Sequence, residues 1–494
     1  MADSYDVIVI GGGNAAFCAA LAAREAGAGV LVLECAPAAE RGGNSRFTAG
    51  AMRVAYDGVD DLVRLMPDLT AEDIANTDFG AYPADQFYDD LCRVTQYRTD
   101  THLAETLVGR SLETMLWMRA KGVRFAPIYG RQAFKVDGKF KFWGGLTVEA
   151  WGGGPGLIDA LYAAAERNQI EVRYQCRALE LIRDDDGIRG VVVREHGRTA
   201  RIAAKSVVLA TGGFEANAEW RTRYLGPGWD LAKVRGTRFN TGDGIRMALE
   251  IGAMPCGNWS GCHAVGWDRN APEFGDLSVG DGFQKHSYPF GIIVNGRGRR
   301  FVDEGADFRN YTYAKYGRAV LEQPGQFAWQ IFDRKVAHLL RDEYRIKRVS
   351  KVSAASLEEL APKLEDVDAQ GFLDEVRTYN AAVQTAVPFN PNVKDGRSTR
   401  GLAIDKSNWA NTLDTPPFEG YAITCGITFT FGGLRIGPDC AVIDTDGVPL
   451  RGLYAAGELV GGLFYFNYPG GTGLMSGSVF GRIAGTSAGA AARQ

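Results

Sequence analysis

Several patterns that would indicate a metal centre or a membrane protein are missing from this sequence. Its eight cysteines form no C-x-x-C pair, which argues against an iron–sulfur cluster or structural zinc and fits reduced thiols in a cytoplasm. No apolar run approaches the roughly 18 residues that a membrane-spanning helix requires. The chain enters its first predicted strand almost at once, which leaves no room for a signal peptide. We therefore predict a cytoplasmic protein that is not integral to a membrane.

The sequence also has little excess of charge of either sign. The formal net charge of −4 gives no reason to expect nucleic acid or an anionic membrane surface as a partner. With 494 residues and 46% hydrophobic content, the chain can bury a large core and is long enough for two domains. It has five histidines, so the position of each is informative.

The residues from Asp6 to Glu34 follow the pattern of a dinucleotide-binding unit. A short β-branched run predicts a buried strand, and a G-x-G-x-x-A turn built from Gly11, Gly13 and Ala16 follows it. The first glycine permits the tight turn, the second lets a pyrophosphate approach, and the alanine lets the helix pack closely. A second strand ends at Glu34, whose carboxylate can bind a ribose 2′-hydroxyl. The pattern predicts an adenine dinucleotide, with NAD as the alternative to FAD.

Two further segments favour FAD. The loop Arg41–Ser45 reads RGGNS and the late segment Tyr454–Glu458 reads YAAGE. Together with the early glycine turn, they resemble the flavoprotein subunits of the succinate dehydrogenase/fumarate reductase family. In that family the late segment returns to close the FAD site, whereas an NAD-binding Rossmann domain would not need it. The resemblance implies an α/β fold, in which a Rossmann-like FAD-binding domain carries an inserted α+β capping domain.

Changes in amino-acid composition along the chain set the expected domain boundaries. Residues 1–258 are expected to form the first part of the FAD-binding domain, with a helical insertion at about 60–126. Residues 259–426, which are rich in loops and aromatic side chains, are expected to form the capping domain that carries the substrate groups. Residues 427–494 are again apolar and glycine-rich, and they are expected to complete the FAD-binding domain.

Three more glycine-rich turns supply candidate FAD contacts. Thr211–Phe214 follows a predicted buried strand, and Thr241–Gly244 opens a helix at which Asp243 has the alternative role of a simple helix cap. Gly470–Leu474 leads into the last helix, whose N-terminus can stabilise negative charge on a reduced flavin. The predicted cofactor-binding residues are Gly11, Gly13, Asn14, Ala15, Glu34, Gly42, Gly43, Asn44, Ser45, Ala178, Thr211, Gly212, Asp243, Gly457, Glu458, Gly473 and Leu474.

The resemblance also implies candidate catalytic residues. Soluble fumarate reductases place a substrate-carboxylate histidine shortly after the T-G-D-G helix, where this chain has His263. They place a catalytic arginine after an R-F-x-N-E motif, which Arg300–Glu304 matches and Arg309 follows. An arginine there can anchor a carboxylate through paired hydrogen bonds, and by resemblance it relays the proton opposite the flavin. Taken alone, His263 is as well explained by an interior histidine and Arg309 by an ion pair.

Two departures from that pattern bear on the substrate. The reductases carry a second histidine in an H-T-x-G-G segment, where this chain has Phe429, and an arginine in an N-R-x-G-G segment, where it has Tyr468. The loss of two carboxylate-binding groups argues against plain fumarate or succinate. The Tyr-Pro-Gly sequence at Tyr468 resembles 3-ketosteroid dehydrogenases, relatives that desaturate next to a ketone with the help of tyrosines. The alternative role for Tyr468 is an aromatic ring packed beneath the flavin.

Six segments between residues 11 and 485 carry a further resemblance: Gly11–Ala16, Arg41–Asn44, Gly212–Asn217, Cys262–Val265, Gly426–Thr430 and Gly477–Gly485. Together they resemble the FAD-dependent tricarballylate dehydrogenases. The resemblance implies loss of two hydrogens from a saturated carbon pair, tricarballylate to cis-aconitate, with a proton passing to a base and a hydride to flavin N5.

The resemblance also bears on how FAD is held and reoxidised. Membrane-bound relatives attach the flavin to a histidine in the loop after the GG segment, which here reads Ser45–Thr48, so non-covalent FAD is expected. Because the sequence has neither a haem-attachment C-x-x-C-H motif nor cluster cysteines, a separate electron acceptor is expected. In tricarballylate use that acceptor is a membrane-associated iron–sulfur protein.

Our leading hypothesis is a dehydrogenase that forms a C=C bond beside a carboxylate. Arg309 is its base or carboxylate clamp, His263 a second anchor, and Tyr468 lines the pocket. The first alternative is a ketone-directed desaturase that uses Tyr468 with a second tyrosine such as Tyr311 or Tyr313. The others are a fumarate-reductase-like enzyme running in the reductive direction and a flavoprotein that only relays electrons. The arginine and histidine at substrate spacing argue against the last.

Overall fold

The computed structural model describes residues 4–493. Its α-helices are α1 Asn14–Glu25, α2 Val59–Leu65, α3 Ala71–Ala75, α4 Ala84–Val94, α5 Thr101–Ala120, α6 Tyr129–Gln132, α7 Gly153–Arg167, α8 Ala218–Trp220, α9 Asp243–Glu250, α10 Tyr313–Leu321, α11 Leu357–Leu360, α12 Ala369–Ala382 and α13 Thr472–Ala491. Its strands are β1 Ser4–Ile10, β2 Val30–Leu33, β3 Ala51–Met52, β4 Thr77–Asp78, β5 Phe125–Pro127, β6 Ala133–Val136, β7 Lys139–Phe142, β8 Val148–Ala150, β9 Glu171–Arg173, β10 Cys176–Asp184, β11 Gly187–Glu195, β12 Arg198–Leu209, β13 Lys233–Val234, β14 Pro255–Asp268, β15 Ile292–Val294, β16 Phe327–Phe332, β17 Lys351–Ala354, β18 Phe418–Leu434, β19 Ala441–Ile443 and β20 Pro449–Ala455. Short 3₁₀ or π turns cover Ala38–Glu40, Gly43–Phe47, Arg221–Leu225, Trp229–Leu231, Tyr288–Phe290, Arg309–Tyr311, Pro324–Gln326, Arg334–Leu339, Asp342–Tyr344 and Ala361–Lys363.

The first sheet places the dinucleotide-binding segments at one edge. Strand β1 lies between β12 and β2, and these strands, with β9 and β20, run parallel. Because parallel strands end at the same edge, the turn after β1, Glu34 after β2 and Ala210 after β12 come together, which is where α/β sheets bind ligands. Gly11 has a φ of +117°, and a Cβ added there would lie 2.2 Å from Ala210 O. Only glycine suits that turn.

Helices α1 and α13 pack closely because small residues line their contact. A Cβ added at Gly481 would lie 2.5 Å from Ala15 O, and one added at Gly485 would lie 2.0 Å from Ala19 O. At their N-terminal ends the helices are joined by Asn14, whose Nδ2 donates to Leu474 O at 2.8 Å. Two segments more than 400 residues apart therefore present their N-termini at the same edge of the first sheet.

The second sheet supplies the opposite wall of the site. Its long strand β18 pairs with β13, β14, β16 and β17, and β16 pairs with β15. The register between β14 and β18 shifts on both sides of the pair His263 and Phe429, so a local irregularity sets the direction of these two side chains. The predicted boundaries after 258 and 426 fall inside β14 and β18, and the division into domains stays a prediction.

The region at about 60–126, where a helical insertion is expected, and the segment after it form helices and a short hairpin. Helices α2 to α5 lie between residues 59 and 120. In the segment that follows, β6 and β7 form an antiparallel hairpin, and residues of α6 reach the site described below. Across the part of the chain that the structure describes, no helix is long and apolar enough to cross a membrane.

Candidate active site

A cleft lies between the carboxyl edge of the first sheet and the second sheet, and with the solvent space at its mouth it encloses about 1890 Å³. All the predicted cofactor and catalytic residues line it except Gly42. That glycine instead begins the short turn Gly43–Phe47 in the left-handed region, at φ +106°, and so shapes the turn without lining the cavity.

The cofactor end of the cavity is formed mainly by backbone. Helices α1, α9 and α13 all begin there, behind Gly13, Gly242 and Gly471, and none of these three caps supplies a side-chain hydrogen bond. Two of the first-turn N–H groups have partners, since Asn14 N donates to Ser45 Oγ and Thr472 N to Pro469 O, each at 3.2 Å. The remaining ones can serve a ligand, and the positive ends of the helix dipoles favour an anionic one.

Two predicted acidic ligands at this end are held by neighbouring groups. Glu34 Oε1 accepts a hydrogen bond from Ala36 N at 2.8 Å, and burial raises the pKa of this carboxyl. Asp243 is the first residue of α9, and its Oδ2 accepts from Arg177 Nη1 at 2.6 Å. The alternative role of Asp243 as a helix cap is therefore wrong, because the residue before it, Gly242, occupies the cap position.

A buried carboxyl pair, Glu215 with Glu458, supports the loop at the wall of the cavity. Glu215 accepts from the side-chain amides of Asn44 at 2.5 Å and Asn240 at 2.7 Å, and Glu458 accepts from Thr430 N at 2.9 Å. Burial raises the pKa of Glu215. Burial, followed by the charge of Glu215, raises the pKa of Glu458 well above its usual range. Only Glu458 was among the predicted residues.

The groups at the sheet edge fit FAD. A Cβ added at Gly13 would meet nothing closer than 3.5 Å, so this backbone lies open to a pyrophosphate. The buried Thr211 Oγ1 has no hydrogen-bond partner among residues 4–493. Backbone N–H groups, a hydroxyl and the Glu34 carboxylate are the donors and acceptors that a diphosphate and a ribose require.

At the substrate end, Arg309 is fixed by two hydrogen bonds. Its Nη2 donates to Arg131 O at 2.7 Å, and its Nη1 lies 3.1 Å from His286 Nδ1. Because a guanidinium can only donate, His286 Nδ1 accepts and the proton of the neutral imidazole sits on Nε2. Within the described chain, neither Arg309 Nε nor His286 Nε2 has a hydrogen-bond partner.

Two more arginines at this end share one carboxylate. Arg235 donates through Nε to Asp281 Oδ1 at 2.8 Å, and Arg131 donates through Nη1 to Asp281 Oδ2 at 2.9 Å. Gln284 Nε2 also donates to Asp281 Oδ2, at 2.6 Å. The carboxylate of Asp281 is thus saturated by groups of the protein, and it holds two guanidinium groups in place at the cavity wall.

Histidine and tyrosine rings form the wall next to the arginines. The ring of His263 lies 4.7 Å from that of Tyr468, 5.0 Å from that of Tyr313 and 5.3 Å from that of Phe429. The hydroxyls of Tyr313 and Tyr468 share a hydrogen bond of 2.5 Å. His263 is 1% exposed, and neither of its ring nitrogens has a partner among the described residues.

Burial sets the protonation of these groups. Burial and nearby arginines hold the pKa of His263 and of His286 well below the ordinary value, so both rings are neutral at pH 7. Burial also lowers the pKa of Arg309. Burial, followed by the neighbouring Tyr313, raises the pKa of Tyr468 well above its ordinary value. The two imidazoles and the Tyr468 phenol are therefore uncharged hydrogen-bonding groups, beside a buried guanidinium.

The structure brings the three predicted catalytic residues into one cavity. His263 contacts Tyr468 directly, and Tyr313 connects this pair to His286, the partner of Arg309. Tyr311 is not part of the group, because its hydroxyl lies 2.6 Å from Asp90 Oδ2 and 2.8 Å from Gly144 O. Of the two tyrosines suggested as partners of Tyr468, Tyr313 is the one that lines the cavity.

Sequence reasoning missed four polar residues of this end. Asp281 and His286 lie in the segment Gly280–His286, and its histidine, one of five in the chain, was a signal that could have been followed. Arg131 lies in α6, just after the expected helical insertion, in a segment without a predicted site residue. Arg235 had no local signal, since only the pairing of β13 with β18 brings it to the site.

Comparison with known proteins agrees with this geometry. The profile of the family described as FAD binding domain matches residues 6–474. The probable fumarate reductase Ifc3 of Shewanella frigidimarina (strain NCIMB 400) is 30% identical over 495 residues, which cover 98% of this chain and 75% of that protein. A solved structure of the open conformation of a flavocytochrome c3 fumarate reductase is 27% identical with a TM-score of 0.73 and covers 100% of this chain and 79% of that one. The 3-ketosteroid Δ1-dehydrogenase from Sterolibacterium denitrificans shares the fold, with 22% identity, a TM-score of 0.75, and coverage of 99% of this chain and 100% of that one.

Proposed function

Because the chain belongs to the FAD-binding family of the succinate dehydrogenase/fumarate reductase type, and is thus an FAD-dependent oxidoreductase of carbon–carbon bonds, we propose that it forms a C=C bond beside a carboxylate. Tricarballylate is the first candidate substrate. The observation that supports the proposal is the group of buried nitrogens without a partner in the described chain, on Arg309, His263 and His286. Leaving a buried guanidinium without an anion is costly, and a carboxylate is the ligand that a guanidinium binds best.

In this proposal Arg309 binds the substrate carboxylate next to the reacting carbons. When bound, FAD supplies the two-electron chemistry of the reaction. Arg309 is also the proposed proton carrier, because burial lowers its pKa and its Nη1 is held by the neutral His286 Nδ1. Arg309 would first release its own proton to solvent, which burial favours, and would then accept the proton from the substrate α-carbon.

The surrounding rings would position the substrate and exclude water. Neutral His263 is the proposed second anchor, since an uncharged imidazole can donate one hydrogen bond and accept another. Phe429 and Tyr468 pack against its ring, and Phe464 packs against both of them. Excluding water strengthens the interaction of a carboxylate with the nearby arginine.

The experiment that tests the substrate class is anaerobic reduction of the purified holoenzyme, followed by loss of flavin absorbance. We expect rapid loss with tricarballylate and slower loss with succinate, because the second histidine and the C-terminal arginine of the reductases are replaced by Phe429 and Tyr468. A matching reaction with a reduced dye and cis-aconitate measures the reductive direction. No reduction by any carboxylate would contradict the proposal.

A ketone-directed desaturase is the second candidate, and the Tyr313–Tyr468 hydroxyl pair favours it. Two phenols joined by a 2.5 Å hydrogen bond can donate one hydrogen to a ketone oxygen and stabilise the enolate that forms. A 3-ketosteroid and a cyclohexanone carboxylate belong in the same panel for this reason. Reduction by the ketones alone would select this candidate.

The proposed partner that takes the electrons is a separate acceptor, with a membrane-associated iron–sulfur protein as the first choice. Within the described residues, no group of three or more metal-binding side chains is arranged to hold a metal ion. A reconstitution that measures turnover with an artificial dye and with such a protein tests the choice of acceptor.

A further inference from the structure

A smaller cavity lies beside the main one and, with the solvent space at its mouth, encloses about 300 Å³; Arg309 and His286 line both. We call it the side chamber. Its other walls are aromatic rings, Ser287, Pro289, Pro391 and one further arginine, Arg341, which come from well-separated parts of the chain. The aromatic residues are Trp143, Phe290, Phe308 and Trp409.

Arg341 is a buried cation that forms no ion pair within residues 4–493. It is 7% exposed, its Nη1 donates to Gly130 O at 2.6 Å, and its guanidinium lies 4.5 Å from the ring centre of Phe134. Its Nη2 has no hydrogen-bond partner within residues 4–493. Burial, with the charge of Arg309 next, lowers its pKa to about 9, so it still carries its charge at pH 7.

The charges around the side chamber do not balance. Asp281 pairs with Arg131 and Arg235, whereas Arg309 and Arg341 form no ion pair with any described residue. Glu343, which is also buried, favours the charged form of both arginines but forms no ion pair with either among the described residues, so one carboxyl group faces two guanidinium groups. Two guanidinium groups and the neutral His286 thus line one chamber, and each has a nitrogen without a partner in the described chain. Buried charges in proteins are normally paired, so the arrangement calls for an anion.

We propose that the side chamber binds a second carboxylate of the substrate, with Arg341 as the residue that recognises it. The inference rests on the proposed function, in which Arg309 holds the first carboxylate. The substrate class is then a di- or tricarboxylate whose second carboxylate is carried on a short carbon arm. The aromatic walls cover that arm, and a ketosteroid, which has no such group, is excluded from this role.

The test compares the binding of two unsaturated acids, crotonate with one carboxylate and cis-aconitate with three. Both already carry a C=C bond beside a carboxylate, so the oxidised holoenzyme binds them without the proposed reaction taking place. Their dissociation constants are measured by calorimetry for the wild type and for Arg341→Met. Losing one partner of a buried charge pair costs at least about 30-fold in affinity. We expect that loss for cis-aconitate and a change of less than about threefold for crotonate. Equal changes for both acids, or none for either, would overturn the inference.

Three controls separate the possible causes of failure. Arg345→Met removes an arginine of the same segment whose side chain is 54% exposed, and it should leave both affinities unchanged. Arg341→Lys keeps the charge and should restore part of the cis-aconitate affinity, and it replaces the methionine variant if that one does not fold. Arg309→Ala should weaken both acids. If it does while Arg341→Met does nothing, only the side chamber is refuted, and if the wild type binds neither acid, the proposed function fails with it.

Discussion

The two ends of the cavity are built on different principles. At the cofactor end, helix N-termini and glycine turns present backbone N–H groups, and polar side chains such as Asn14 and Asp243 bond other groups of the protein. At the substrate end, side chains from distant segments converge, and buried nitrogens of Arg309, Arg341 and His263 remain without partners in the described chain. A site made of backbone N–H groups depends on local geometry. A site made of buried charged side chains depends on a ligand that supplies the opposite charge.

Asp281→Asn should have the largest effect, because it removes the carboxylate that the buried Arg235 and the half-buried Arg131 share at the substrate end. Breaking a buried ion pair from one side costs about 3–5 kcal/mol, and we expect a loss of that size in the free energy of unfolding measured with urea. Asp276→Asn is the matched control, since its partner Arg348 has a side chain that is 50% exposed and such pairs contribute about 1 kcal/mol or less. Similar losses in the two variants would contradict the view that the shared buried carboxylate contributes more to stability than an exposed ion pair does.

Gly485→Ala tests the cofactor end, where close backbone packing replaces charge. The added Cβ would lie 2.0 Å from Ala19 O, so α13 must move away from α1. We expect a loss of about 1–3 kcal/mol in the free energy of unfolding and weaker retention of FAD, measured by flavin content after dialysis. Gly109→Ala is the control, because nothing lies within 4 Å of a Cβ added there. Retention of FAD at the wild-type level would argue against the role of the helix contact.

Tyr468→Phe distinguishes the two candidate reactions at the substrate end. If Arg309 does the chemistry, losing one hydroxyl hydrogen bond should lower kcat/KM for tricarballylate by no more than about tenfold. If a ketone is the substrate, loss of a catalytic proton donor should lower kcat/KM by about 100-fold or more. Tyr379→Phe, which removes a buried hydroxyl that has no partner among the described residues, should leave the rate unchanged.

The smallest expected effect is the pH dependence of stability that His263 and His286 confer. Their pKa values are lowered in the folded state, so the unfolded chain binds more protons below its histidine pKa of about 6.5. Stability is therefore fully present above about pH 6.5 and falls as the pH drops, by up to about 1.4 kcal/mol per pH unit for each histidine. His263→Gln should reduce that slope in urea titrations between about pH 7.5 and 5.5. The exposed His338→Gln should not, and an unchanged slope in both variants would show that His263 titrates normally.

The same contrast explains what could be predicted from the sequence. The glycine turn at Gly11, the strand that ends at Glu34 and the late AAGE segment are local patterns, and both the fold and the FAD cofactor they indicated are confirmed. Motif spacing indicated Arg309, His263 and Tyr468, and all three line one cavity in the structure. Their catalytic roles stay predictions. Tricarballylate as substrate also stays a proposal.

The rest of the site depends on tertiary packing that no short pattern records. His286 and Asp281 contact the arginines from an irregular segment, and Arg131 comes from α6, just after the expected helical insertion. Tyr311 and Tyr313 are two residues apart, yet only Tyr313 lines the cavity, because a short turn ends and α10 begins between them. No sequence motif indicates Arg341. It stands out only in the structure, where its Nη2 has no hydrogen-bond partner among the described residues.

The most direct test of the central claim is the rate at which tricarballylate reduces the flavin, anaerobically, in the wild type and in Arg309→Ala. We expect the variant to keep its FAD, because Arg309 lies among the groups of the substrate end, and to lose about 1,000-fold or more in the rate of reduction, which corresponds to about 4 kcal/mol. Arg348→Ala, an exposed arginine of the second sheet region, should behave as wild type. Reduction of Arg309→Ala at the wild-type rate would show that the cationic end of the cavity is not where the substrate carboxylate binds.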